Sequence, residues 1–154
     1  MKGIGRALTL FFATGACTGY TPLMPGTAGS AAGIAVYVLM ASCSLSLYLC
    51  ITIALTAAAV FLSASAARLL QKSDPPQVVI DEIAGFLVTM TGLPPAWQYV
   101  AAGFILFRIM DILKPYPANL INDRMHGGAG IVLDDVVAGI YANLILQGVR
   151  FIVY

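Results

Sequence analysis

Two pairs of adjacent carboxylates interrupt stretches of the chain that are otherwise largely apolar: Asp81-Glu82 in Val79-Ile-Asp-Glu-Ile-Ala-Gly85, and Asp134-Asp135 in Val132-Leu-Asp-Asp-Val-Val-Ala-Gly139. Carboxylates in such surroundings are costly unless a cation or hydrogen-bond donors compensate them. Each pair is followed by Ala-Gly, and small residues let helix backbones approach closely in a membrane. If those two faces meet, Asp81, Glu82, Asp134 and Asp135 converge. Like charges that close repel unless protonated or bridged, and a set of hard oxygen ligands suits Mg²⁺. The plain alternative is that these acids cap helices. Asp134 suits the start of a last helix over Val136 to about Val149. Asp81 and Glu82 do not suit it, because Asp74-Pro-Pro reads as a helix start with Asp74 as N-cap and the prolines in the first turn. On a helix from Asp74 to about Thr91, the pair lies about two turns in.

Basic groups stand where such acids need partners. Arg108-x-x-Asp111-x-x-Lys114 uses i, i+3 spacing, so neighbours meet on one helix face. Taken alone, a salt-bridged ladder explains it as well as function does. Beside an acidic metal site, Arg108 and Lys114 suit phosphate oxygens, and Arg124 is a weaker candidate. Pro25-Gly-Thr-Ala-Gly-Ser30 reads as a loop before a helix, where free N–H groups attract anions and Thr27, Gly29 and Ser30 allow hydroxyl contact and close backbone approach.

Other chemistries lack their residues. His126 is the single histidine, so a two-histidine phosphatase mechanism is excluded. Cys17 is followed six positions on by Leu23, not by the arginine a thiolate phosphatase needs. Cys17, Cys43 and Cys50 show no CxxC spacing, so neither a disulfide framework nor a thiolate metal site is indicated. The CDP-alcohol phosphatidyltransferase motif and Walker-type loops are also missing. A net charge of +1 argues against nucleic acid as a partner.

The elements that hold these groups belong to a membrane protein. The chain has 154 residues, 60% hydrophobic and 10% charged, against about a quarter charged in soluble domains. Its mean hydropathy is +0.90, and no charged residue lies between Arg6 and Arg68. The expected fold is all-α: an integral membrane helical bundle in one domain over 1–154, with about five membrane-embedded helices plus an N-terminal interfacial helix. Gly3 to Ala16 is too short to span and reads as that interfacial helix, with Lys2 and Arg6 at its start and no cleaved signal. Gly19 to Ser30 is a breaker-rich loop. Ala31–Ala41 and Leu45–Ala64 form a helical hairpin joined at Ser42-Cys-Ser44. Gly92-Leu-Pro-Pro95 turns on the far side, followed by Trp97 and Tyr99 as interfacial anchors and a helix over Ala96–Ile109. Lys114-Pro-Tyr-Pro117 ends that helix, and His126-Gly-Gly-Ala-Gly130 reads as a flexible loop. Basic clusters at Lys2/Arg6 and Arg68/Lys72 place one side in the cytoplasm. Every charged residue except Arg150 then falls at that end.

Four motifs in order, Gly26-Thr-Ala-Gly-Ser30, Asp74-Pro-x-x-Val-Val-Ile-Asp-Glu-x-x-Gly85, Phe107-Arg-x-x-Asp-x-x-Lys-Pro-x-Pro117 and Gly127-Gly-x-Gly-Ile-x-x-Asp-Asp-x-x-Ala-Gly139, together resemble the bacterial phosphatidylglycerophosphatase A family. The resemblance covers nearly the whole chain. Ala28 stands where many relatives carry Trp. The resemblance implies a helical, Mg²⁺-dependent phosphatase of the bacterial inner membrane that takes the phospholipid phosphatidylglycerophosphate to phosphatidylglycerol. On that reading Asp81, Glu82, Asp134 and Asp135 hold metal, while Arg108, Lys114 and the Thr27–Ser30 segment hold phosphate. A water activated there attacks in line with Asp111 orienting it or taking its proton, and Asp81 and Asp135 belong to the reacting centre. An aspartyl-phosphate intermediate is equally compatible with the residues. The rival from another class is a cation or proton carrier built on the same carboxylates, in which Arg108 and Lys114 have no use.

Overall fold

The computed structural model describes residues 3–153, so the expected role of Lys2 lies outside them. Those residues form seven α-helices and one 3-10 turn, with no strand among them. In order they are α1 (Gly3–Ala13), the turn Thr18–Tyr20, α2 (Pro25–Met40), α3 (Leu45–Leu70), α4 (Ile80–Thr89), α5 (Trp97–Leu113), α6 (Ala118–Arg124) and α7 (Gly128–Val153). Only α3 and α7 are long and apolar enough to cross a membrane. At 1.5 Å per residue, α2 and α5 reach about 25 Å, short of the ~30 Å hydrocarbon layer.

α4 is the centre of the bundle. Ile83, Ala84, Gly85, Phe86, Leu87 and Thr89 are all buried, and α2, α3, α5 and α7 surround it. Its ten residues cover about 15 Å, so the expected crossing from Asp74 to Thr91 is not formed. The prolines explain the difference. Pro76 takes the second position of a turn closed by Val78 N–H to Pro75 O at 2.9 Å. Val79 N–H then bonds Ala13 O at 3.0 Å, which ties the segment to the end of α1. Helix begins only at Ile80. Asp81 and Glu82 therefore sit in the first turn, where the helix dipole favours acids.

The start of α7 is displaced in the opposite sense. The helix begins at Gly128, and Asp134 and Asp135 lie well inside it, so Asp134 caps nothing. The glycines expected to make a flexible loop pack tightly instead. A Cβ at Gly128 would overlap the carbonyl oxygen of Val60, and one at Gly130 that of Met125. Glycine here lets α7 start flush against α3 and the end of α6.

Two further boundaries differ from expectation. α2 begins at Pro25, which takes a first-turn position, so Gly26–Ser30 is helix and not loop. α6 was not expected; it opens right after Pro117 and packs on α7. The hairpin turn at Ala41–Ser44 is as expected, with Ser44 Oγ accepting from Leu47 N–H at 3.4 Å as N-cap of α3. Away from the acids, the interior is closed by edge-on aromatic pairs, Tyr37–Phe86 at 6.5 Å and Phe86–Phe107 at 6.4 Å between centroids.

Candidate active site

The site is built where α4 meets α7. A Cβ on Gly139 would strike the carbonyl of Gly85, and a Cβ on Gly85 would lie 2.8 Å from the carbonyl oxygen of Asp135. The two glycines let the backbones touch, and Ala84 and Ala138 beside them are buried. This contact carries the first turn of α4 against the second turn of α7. As a result Asp81, Glu82 and Asp135 each offer an oxygen within 4.8 Å of the others.

These oxygens are short of partners. Asp81 and Asp135 are 7% and 4% exposed. Asp81 Oδ1, Glu82 Oε2 and Asp135 Oδ2 are buried without any hydrogen bond. Unpaired buried carboxylate oxygens are costly, each by several kcal/mol on general grounds. Three that converge make the donor set of a small hard divalent cation.

Cationic groups border the cluster on α5. Arg108 Nη1 donates to Asp111 Oδ2 at 2.5 Å, with the two side chains only 18% and 13% exposed. Asp111 in turn lies against Asp135. A Cβ on Gly26 would fall 2.5 Å from Glu82 Oε1 and 3.1 Å from both terminal nitrogens of Arg108. Glycine at 26 thus keeps open the space between the first turn of α2 and the side chains of Glu82 and Arg108. The opening N–H groups of α2 have no helical partner, so Gly26 and Thr27 present donors beside a guanidinium. Lys114 ends α5 with φ of 42°. Its ammonium pairs with Asp134 Oδ2 and donates to Asn122 Oδ1 at 3.2 Å. Burial lowers the Lys114 pKa, but the hydrogen bond and charge of Asp134, with Asp135 and Asp111 behind it, outweigh burial and hold it above its ordinary 10.5.

Several expected members are placed elsewhere. Asp134 shares its dyad with Asp135 but lies outside the three-carboxylate group: its Oδ2 pairs with Lys114, while its Oδ1 is buried without a hydrogen bond. Ser30 is fully buried and donates to Gly26 O at 2.9 Å, so its proton is already used within α2. Gly29 is pressed on Val79, where a Cβ would come within 2.6 Å of the valine Cβ; it serves packing. Arg124 is exposed at the end of α6 and joins neither of the two ion pairs among the described residues. His126 is also exposed, in the link to α7.

Three contributors escaped the sequence. Gly26 reads as one glycine among several. Asn122 needs α6 to bring it to Lys114, and the polar run Asn119-x-x-Asn122-Asp-Arg124 after Pro117 was the available sign of that helix. Tyr141 donates to Tyr116 O at 2.6 Å and anchors the Lys114–Pro117 turn to α7; nothing local in the sequence marks it.

Comparison with known proteins identifies the family of the chain. The family profile for phosphatidylglycerophosphatase A matches residues 11–150. The chain is 38% identical to phosphatidylglycerophosphatase A of Escherichia coli over 87% of its length and 78% of the relative's. It is 32% identical to the protein of that name from Haemophilus influenzae, over 82% and 79%. A Bacteroides thetaiotaomicron protein with the provisional name phosphatidylinositol-3-phosphatase is 35% identical over 95% of this chain and 96% of its own. No solved structure matches. The profile spans all the elements that build the cluster, from the end of α1 to α7, and the chain is a phosphatase that belongs to the phosphatidylglycerophosphatase A family.

Proposed function

We propose that this protein hydrolyses the phosphomonoester of phosphatidylglycerophosphate, giving phosphatidylglycerol and phosphate, at the cytoplasmic face of the bacterial inner membrane as a step of phospholipid synthesis. The observation that carries the reading is the meeting of three unpartnered carboxylates, Asp81, Glu82 and Asp135, with the Arg108 guanidinium across the Gly26 gap. A cation carrier has no use for that arginine or for the open turn of α2. The substrate names of the two phosphatidylglycerophosphatase A relatives favour this lipid.

The donor set fits Mg²⁺. Asp81, Glu82 and Asp135 would hold it, where it neutralises phosphate charge and polarises the phosphoryl group. The remaining work falls to this chain's own groups. Arg108 and Lys114 bind the phosphoryl oxygens, Arg108 as a planar fork and Lys114 as a point charge. The free N–H groups of Gly26 and Thr27 add donors at the positive end of α2. Asp111 holds Arg108 in place and is the group best set to take a proton from the attacking water. Asp134 and Asn122 fix Lys114 from behind. Most of the barrier reduction in phosphoryl transfer comes from such positioning and charge neutralisation.

Membrane residence follows the same reading. α3 and α7 cross, α2, α4 and α5 are embedded between them, and α1 lies in the interface with Ile4, Leu8, Phe11 and Phe12 exposed. A second substrate is favoured by one observation: the Bacteroides relative, matched over nearly its full length, bears the name of a phosphoinositide phosphatase. Phosphate release from phosphatidylglycerophosphate and from phosphatidylinositol 3-phosphate, each with Mg²⁺ and with chelator, separates the readings. The proposal expects Mg²⁺-dependent release from the first lipid at the higher kcat/KM. Higher kcat/KM on the inositol lipid would overturn the substrate assignment, and no release from either would overturn the lipid-phosphatase reading.

A further inference from the structure

The end of the bundle away from the acids holds a cavity, about 300 Å³, between the end of α2, the start of α3 and the turn after α4. Arg150 is the one charged residue in its wall, and no acid lines it. Arg150 follows Asp135 on α7 by 15 residues, roughly 22 Å of helix. The cavity is therefore separate from the carboxylate cluster.

Three kinds of donor meet there. Arg150 Nη1 donates to Gly92 O at 3.1 Å, which leaves most of its fork free. Tyr37 lines the cavity, is 3% exposed, and its hydroxyl has no partner among the described residues. Its neighbour Tyr48 contrasts with it, donating to Leu87 O at 2.6 Å. The Tyr37 hydroxyl is thus free to donate to a group that enters the cavity. The wall also includes Leu45, the first residue of the 26-residue α3, whose dipole favours an anion and whose Leu47 N–H alone is taken by the Ser44 cap. Two larger grooves meet the cavity at Arg150. One, about 830 Å³, runs beside Leu144 and Phe151, and the other, about 460 Å³, beside Tyr99, Ala102 and Val149. Both are mainly apolar.

A polar, acid-free pocket that opens through an arginine into two apolar grooves has the shape of a diacyl lipid with a negative head. We propose that this end of the protein binds an anionic phospholipid, its phosphate on Arg150 and the Tyr37 hydroxyl and its acyl chains in the two grooves. The shared chemistry is a phosphate group. The grooves assign it to a lipid and not to free phosphate.

The test uses the full chain in nonionic detergent, titrated with phosphatidylglycerol, with zwitterionic phosphatidylethanolamine, and with inorganic phosphate. Retained lipid is read by native mass spectrometry, and the unfolding midpoint is followed in parallel. Phosphatidylglycerol is expected to bind saturably and raise the midpoint, with phosphatidylethanolamine about tenfold weaker or more. Arg150→Gln should weaken phosphatidylglycerol about tenfold, the loss expected of one charge-assisted hydrogen bond. Tyr37→Phe, which keeps the ring in its aromatic cluster, should weaken it severalfold. Equal retention of phosphatidylglycerol by both variants overturns the proposal, since binding then lies elsewhere, the catalytic site included. Equal retention of the two lipids overturns it as well, and so does full displacement of the lipid by inorganic phosphate alone.

Discussion

A methyl group at Gly85 is the sharpest perturbation the geometry offers, because it alters the chemistry of no charged group of the site. Its Cβ would stand 2.6 Å from Cε2 of Phe107 and 2.8 Å from the carbonyl oxygen of Asp135, where ordinary contact begins at 3.4 Å. The gap must open by about 0.8 Å toward the ring and about 0.6 Å toward α7. Phe107 cannot yield easily, since it is fully buried and set edge-on to Phe86. The backbone of α4 must move instead, and Asp81 and Glu82 move with it, one turn away. Sites of this kind tolerate about 0.5 Å, and a shift near 1 Å costs on the order of 100-fold. Gly85→Ala should therefore lower turnover on phosphatidylglycerophosphate by about 10- to 100-fold, with an overpacking loss of about 1–3 kcal/mol in stability. Phosphate release in mixed micelles at saturating Mg²⁺ measures the first, and thermal unfolding the second. Gly3→Ala is the control, for its Cβ meets nothing within 4 Å. Wild-type turnover by Gly85→Ala would refute the claim that the α4–α7 contact sets the site.

The other predictions concern the charges. Asp81→Asn should abolish turnover while helix content and membrane insertion persist; near-normal turnover would remove Asp81 from the reacting centre. Asp135→Asn should weaken Mg²⁺ binding at least tenfold in equilibrium dialysis, whereas Asp134→Asn should leave Mg²⁺ binding near normal and raise KM, because it releases Lys114 and not the metal. Equal metal loss in both would return Asp134 to the cage. Lys114 has its folded pKa held above the ordinary 10.5 by Asp134 against the effect of burial. A raised pKa gives stability that is complete below the unfolded value and is lost as pH climbs through the folded one. The stability difference between wild type and Lys114→Met should then be flat from about pH 6 to 9 and shrink only above about pH 10.5; a decline near pH 7 would contradict the pairing. Cys17→Ser, Cys43→Ser and Cys50→Ser should each keep near-normal turnover, and loss in any one would reopen a thiolate mechanism.

Much of this arrangement was legible in the sequence because it follows from residue type. The Ala-Gly steps after each acidic pair identified the helix contact, and Gly85 and Gly139 do meet. The apolar run after Ser44 marked α3, and the Arg108–Asp111 spacing gave an ion pair on one face of α5. What was not legible depends on packing between distant segments. Pro75-Pro76 suits a helix start and a turn alike, and the bond from Val79 to Ala13 selects the turn. Glycines at 128 and 130 read as a loop from local propensity, yet close contact with Val60 and Met125 makes them the foot of α7. These two choices exchange the positions of the dyads: the pair expected deep in a helix starts one, and the pair expected at a start lies inside. The separation of Asp134 from Asp135 needed α6 and the position of Lys114, neither of which a linear pattern of acids encodes.

Location of a divalent ion tests the central claim most directly. Crystals of the full chain grown with Mn²⁺ in place of Mg²⁺ should show an anomalous peak among Asp81, Glu82 and Asp135, with oxygen distances of about 2.0–2.3 Å, and the Asp81→Asn variant should lose it. A peak at Asp134 and Lys114, or a carboxylate group that stays empty at saturating metal while the enzyme still turns over, would contradict it.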